Sequence, residues 1–125
     1  MKAALVVALL LISTPAFMRA AHAQDVQAGE DIFDGMCHGC HLHAKNKNYL
    51  APSLYGVVGR HSASVPGFNY SDANRKSGIT WTENVLFKYL KNPHLVVPNT
   101  KMSFDGLPDE KMRRDVIAYL KTLHD

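Results

Sequence analysis

The 125-residue sequence is short of cysteine, of tryptophan and of long apolar runs, holding two Cys, one Trp and no apolar stretch beyond ten residues. Two cysteines are too few for the multi-bridge framework of a small exported disulfide scaffold. The longest apolar run, Ala3 to Ile12, is half of the roughly 20 residues that a membrane-spanning helix needs. Charge of one sign is also scarce. Fourteen Lys+Arg stand against eleven Asp+Glu, and no basic stripe gathers them, which excludes a nucleic-acid footprint. There is no internal repeat, low-complexity tract or second composition block, and the length suits one domain.

The apolar run at the start has a function of its own. Lys2 precedes it, Pro15 breaks it, and Ala21-His22-Ala23 puts small residues where a signal peptidase reads. This is the layout of a secretory signal peptide over residues 1–23, cleaved near Ala23. A domain over residues 24–125 remains. Loss of Lys2 and Arg19 leaves twelve Lys+Arg against eleven Asp+Glu, close to neutrality. The expected location is the periplasm, with no stable membrane insertion.

Three main helices are predicted, with no convincing strand. The first runs from Asp25, as its cap, to about Met36, with Val26, Gly29, Ile32, Phe33 and Met36 on one face. Gly29 on that face allows close approach of another helix. A short helix fits Ser71 to Arg75. Thr80-Trp81-Thr82-Glu83 reads as a capping box for a helix to about Lys91, with Val85, Leu86, Tyr89 and Leu90 inward, ended by Asn92-Pro93. Pro108-Asp109-Glu110 opens the last helix, which runs to about Leu123 with Met112, Val116, Tyr119, Leu120 and Leu123 inward. Two long loops remain, Leu42 to Asn69 and His94 to Leu107. A small domain rarely carries some 28 structureless residues without a functional reason, and a large apolar cofactor would give those loops a core.

Such a cofactor has an attachment motif. Both cysteines lie in Cys37-His38-Gly39-Cys40-His41, and C-x-x-C-H marks covalent haem attachment, two thiols adding to two vinyl groups with the histidine on the iron. A zinc site needs about four ligands, usually with a second Cys/His pair; none exists, and His43 and His61 sit in no recognisable pair. A thioredoxin-like dithiol wants a βαβ context, and a plain disulfide leaves His41 and the long loops unexplained. On the far side of the iron a methionine sulfur is the common second ligand of electron carriers. Met36 is too close in sequence to cross the ring, and Met112 fits the inward stripe of the last helix. Met102 sits in a loop, in Pro98-Asn99-Thr100-Lys101-Met102, and is the candidate. His38, His43, His61, His94 and His124 read as surface residues; a two-histidine haem would need one of them.

Around these residues the chain resembles a class I cytochrome c, close to the mitochondrial proteins and their soluble bacterial relatives. Beside the haem motif, the resemblance is carried by residues 52–60 (PSLYGVVGR), 66–74 (PGFNYSDAN), 78–81 (GITW), 89–93 (YLKNP), 100–102 (TKM) and 117–120 (IAYL). It implies an all-α cytochrome c fold with one covalent haem c and its iron held by His41 and Met102. It implies that the Pro52 carbonyl accepts the His41 ring proton, and that Tyr70 and Trp81, with Arg60 nearby, serve a haem propionate. It implies that Asn74, Tyr89 and Thr100 form a polar network beside the Met102 sulfur, that Phe104 closes the haem edge, and that Gly29 meets Tyr119 where the outer helices cross. The function implied is a monomeric, non-enzymatic electron carrier docking transiently with redox protein partners. A small peroxidase-like haem enzyme with a labile sixth ligand is the alternative. The sequence departs from the family in having Ala51 and Asn99 where glycine is usual. It also has a thinned lysine ring: Lys45, Lys47 and Lys101 remain, but His94, Leu95, Pro108 and Asp109 replace residues that are often basic.

Overall fold

In the computed structural model, residues 23–125 are described; the assigned leader lies outside them except for its last residue. Asp25 caps the first helix, α1 (Val26–Met36), its carboxylate accepting from the Ala28 amide at 3.0 Å. The short α2 (Asp72–Lys76) starts at Ser71, whose hydroxyl accepts from the Asn74 amide. Then come α3 (Glu83–Tyr89), α4 (Pro93–Val96) and α5 (Glu110–Thr122), the last capped by Asp109. The all-α expectation holds: among the described residues no strand forms, and His61 and Thr80 make one isolated antiparallel bridge.

Two local expectations need correction. The cap of α3 is Thr82, not Thr80; the Thr82 hydroxyl accepts from the Val85 amide at 3.3 Å, while Thr80 is drawn to the ring of His61. The loop expected from His94 begins instead with the one-turn helix α4. Asn92 caps it by accepting from the Leu95 amide, and Pro93 at its first position needs no amide partner.

The framework is α1 crossed on α5. A Cβ on Gly29 would stand 2.0 Å from the Asp115 carbonyl oxygen and 2.9 Å from Cβ of Tyr119, so only glycine lets the backbones meet. At the same crossing the buried Asp115 carboxylate accepts from the Asp25 amide at 3.0 Å and from Lys111 at 2.6 Å, fastening the start of α1 to α5. Phe33, Val116 and Leu120 from these helices, with Leu86 and Leu90 from the α3 region, make the apolar centre. The ends of the α1 stripe behave otherwise: Val26 and Met36 are exposed.

The long loops are ordered mainly by polar bonds. Arg60 donates to the carbonyls of Tyr55 and Ser53, at 2.7 and 2.9 Å. Asn48 accepts from the Ser53 amide and donates to the Pro66 carbonyl. The loop bearing Met102 is pinned at its end. Leu107 bonds back to the Leu90 carbonyl at 2.7 Å, Gly106 passes so close to Lys91 that a Cβ would lie 2.2 Å from its carbonyl oxygen, and the fully buried Arg113 donates to the carbonyls of Leu107 and Pro108. Asn99 takes φ of 64°, the left-handed conformation that asparagine tolerates better than most residues.

Candidate functional site

A cleft of about 420 Å³ with mostly apolar walls opens between the end of α1, the first long loop, α3 and the loop bearing Met102. That volume falls in the range of roughly 300–1,000 Å³ usual for cofactor sites. All twelve side chains named from the sequence line it.

The haem motif reaches the cleft because α1 ends in a tight turn. The amides of Cys40 and His41 bond the Cys37 carbonyl at 3.0 and 2.9 Å, which brings both cysteines and His41 to the cleft wall. Neither cysteine is paired in a disulfide, so both are available to a haem vinyl group. Before haem is attached, burial, and then the neighbouring Cys40, push the Cys37 thiol up to about 11. His41 Nδ1 lies 2.7 Å from the Pro52 carbonyl oxygen. A carbonyl can only accept, so Nδ1 carries the proton and Nε2 keeps its lone pair. Burial pulls the His41 ring below its usual range; the Pro52 bond opposes this and Arg60 adds to it. The ring is therefore neutral, the form that binds a metal.

Met102 enters from its own loop, half-buried. The Tyr89 hydroxyl donates to its Sδ at 3.1 Å. Burial raises the Tyr89 phenol, which keeps that proton in place, although a hydrogen bond with Thr100 opposes the shift. Asn74 donates to Thr100 Oγ1 at 3.4 Å, and the same oxygen accepts from the Met102 amide at 3.3 Å. The expected network of Asn74, Tyr89 and Thr100 is thus assembled around the sulfur.

Deeper in the cleft, Trp81 packs against Tyr89 with ring centroids 4.7 Å apart. The Tyr70 hydroxyl accepts from the Val65 amide at 3.2 Å and keeps its own proton free to donate. Arg60 bonds only neutral carbonyls, so its charge has no anionic partner among the described residues. Other residues not singled out as cofactor contacts also line the cleft, Ser62, Met36 and Leu50 among them. Ser62 orients Asn74 by donating to its side-chain oxygen at 3.1 Å, while Met36 and Leu50 flank the mouth, 48% and 67% exposed. Met36 had signal as an apolar residue beside the first cysteine; Ser62 had none.

These residues fit a haem. Two thiols at C-x-x-C spacing, a neutral imidazole with its free nitrogen available, a positioned thioether sulfur, an uncompensated guanidinium and an apolar lining match its vinyl groups, its iron, its carboxylates and its ring.

Comparison with known proteins points the same way. A family profile described as Cytochrome c matches residues 26–124. A cytochrome c2 of Rhodopila globiformis is 54% identical over 99 residues, covering 79% of this chain and 93% of the relative. A cytochrome c2 of Blastochloris viridis is 48% identical over 103 residues, covering 81% and 80%. Among solved structures, cytochrome cH from Methylobacterium extorquens matches with a TM-score of 0.73 at 44% identity, covering 78% of this chain and 98% of that one.

Proposed function

Because the chain belongs to the cytochrome c family and carries haem c through Cys37 and Cys40, we propose that it is a periplasmic carrier of single electrons in which His41 and Met102 together hold the iron. Haem c, when bound, supplies a metal that changes oxidation state by one electron. His41 Nε2 and Met102 Sδ are the two donors this chain brings to the cleft for it. The Pro52 carbonyl fixes the His41 ring and raises its basicity. Tyr89 holds the Met102 sulfur in place. The observation that carries the proposal is this double anchoring, since a site with both ligands fixed by the protein has no open position for a substrate and needs little rearrangement on electron transfer. Arg60, Tyr70 and Trp81, which line the cleft, would hold the carboxylate side of the ring, and Phe104 would close its edge.

Export rests on the leader assigned to residues 1–23. No helix among the described residues is long and apolar enough to cross a membrane. The partners are redox proteins that dock at the cleft mouth. That mouth is apolar at Met36 and Leu50, and Lys101 beside it is drawn onto the Asn69 carbonyl at 3.1 Å, so contact rather than charge steering guides docking.

The test is anaerobic mixing of the purified holoprotein with membrane quinol–cytochrome oxidoreductases, photosynthetic reaction centres, oxidases and periplasmic dehydrogenases. Rapid one-electron exchange with at least one donor and one acceptor is expected. Exchange with none of them, together with turnover of peroxide, would instead favour the enzyme alternative.

A further inference from the structure

Outside the cleft, the turn after α1 brings together two histidines that their spacing left unpaired. The rings of His38 and His43 lie 5.6 Å apart between centroids and within 2° of parallel. Both are exposed, and neither lines the haem cleft. Phe33 packs beneath both rings, at 5.9 and 5.7 Å, and limits where they can go.

One ring nitrogen of His43 is hydrogen-bonded by the protein, and one of His38 lies near a carboxylate. His43 Nδ1 is 3.3 Å from the Tyr119 hydroxyl. His38 Nδ1 faces the Asp34 carboxylate at 4.0 Å. Each Nε2 is left for another partner. An oxygen on Nδ1 with Nε2 free is the arrangement by which proteins orient histidines toward metals. Asp34 also adds negative charge beside the pair, and its charge and that of Glu30 are felt at Tyr119.

We propose that His38 and His43 form a two-imidazole surface site for a late first-row divalent cation, copper(II) above all. Imidazole nitrogen suits copper, nickel and zinc, and affinity for a given site peaks at copper. No group of three or more His, Cys, Asp or Glu among the described residues could hold a metal ion, so this site has two protein nitrogens with water completing the shell. Parallel stacked rings do not aim both Nε2 lone pairs at one point, so binding requires the two exposed side chains to turn out of the stack toward a common ion.

The experiment is calorimetric titration of copper(II) chloride into the ferric holoprotein, which cannot reduce the ion, alongside His38→Gln, His43→Gln and a control pair, His94→Gln and His124→Gln. One ion per chain is expected. Each of the first two substitutions removes a ligand and should weaken binding by at least the roughly tenfold that loss of an outer-shell partner costs. The control pair should leave it unchanged, and electron paramagnetic resonance should show two nitrogen donors. The substituted side chains are exposed, and an unaltered visible spectrum verifies that the haem site is intact. Affinity unmoved by His38→Gln and His43→Gln, or lost equally in the control pair, would overturn the proposal.

Discussion

The Tyr89 hydroxyl donates a hydrogen bond to the thioether sulfur of Met102 across 3.1 Å. That bond draws electron density from the sulfur and makes it a weaker donor to oxidised iron. Tyr89→Phe should therefore lower the reduction potential while keeping methionine bound. A sulfur is a weak acceptor, so stability should change by no more than about 1 kcal/mol. Spectroelectrochemical titration reads the potential; a rise in the variant would contradict this role for Tyr89.

Gly29 tests the helix crossing. Alanine there gains roughly 1 kcal/mol of helix propensity. Its Cβ, however, meets the Asp115 carbonyl at 2.0 Å, and overpacking of this kind costs about 1–3 kcal/mol or more. Gly29→Ala should lower the denaturant midpoint of the holoprotein. An unchanged or higher midpoint would show that α1 and α5 can separate at little cost.

Asp115 makes stability depend on acid. Burial pushes its carboxyl up, but hydrogen bonds from Lys111 and the Asp25 amide, with the Lys111 charge, outweigh that and hold it below its ordinary value of 3.8. Its contribution is complete above the ordinary carboxylate range and is lost as pH falls through the lower folded value. Asp115→Asn should cost about 1–3 kcal/mol at neutral pH, the range for a disrupted buried hydrogen bond. Below about pH 4 the gap to wild type should narrow. Parallel acid limbs in urea unfolding at several pH values would mean that other carboxylates carry the effect.

Docking at an apolar mouth has a kinetic signature. Electrostatically steered association falls steeply with ionic strength, whereas Met36 and Leu50 offer contact that salt does not screen. The second-order rate with a working partner should change little between low and moderate salt, and Leu50→Asp should slow it by about two- to tenfold. A steep salt dependence in wild type would transfer the docking role to the remaining lysines.

Much of this site could be read along the chain because its chemistry is concentrated in short segments. Cys37, Cys40 and His41 fall within a span of five residues, and Met102 stands out as a methionine in a loop rather than on an apolar stripe. Helix existence was also legible, since Asp25, Ser71 and Asp109 announce their caps locally. Choosing between Thr80 and Thr82 was not, because Thr80 is claimed by His61, nineteen residues away. The buried Asp115 reads as an ordinary helix-surface acid until α1 delivers the Asp25 amide from ninety residues upstream. Arg113 was hidden for the same reason. It looks like one of two surface arginines, yet it is 2% exposed, lies over the Phe87 ring at 4.4 Å and caps two loop carbonyls. The exposure of Met36 follows from its place at the cleft mouth, which the helical period cannot foresee.

The central claim is that Met102 is bound to the iron opposite His41. The far-red charge-transfer band of ferric iron with methionine sulfur tests it most directly. Wild-type ferric holoprotein should show the band, and Met102→Leu should abolish it while leaving the haem covalently attached through Cys37 and Cys40. Absence of the band in wild type, or its persistence in Met102→Leu, would contradict the account.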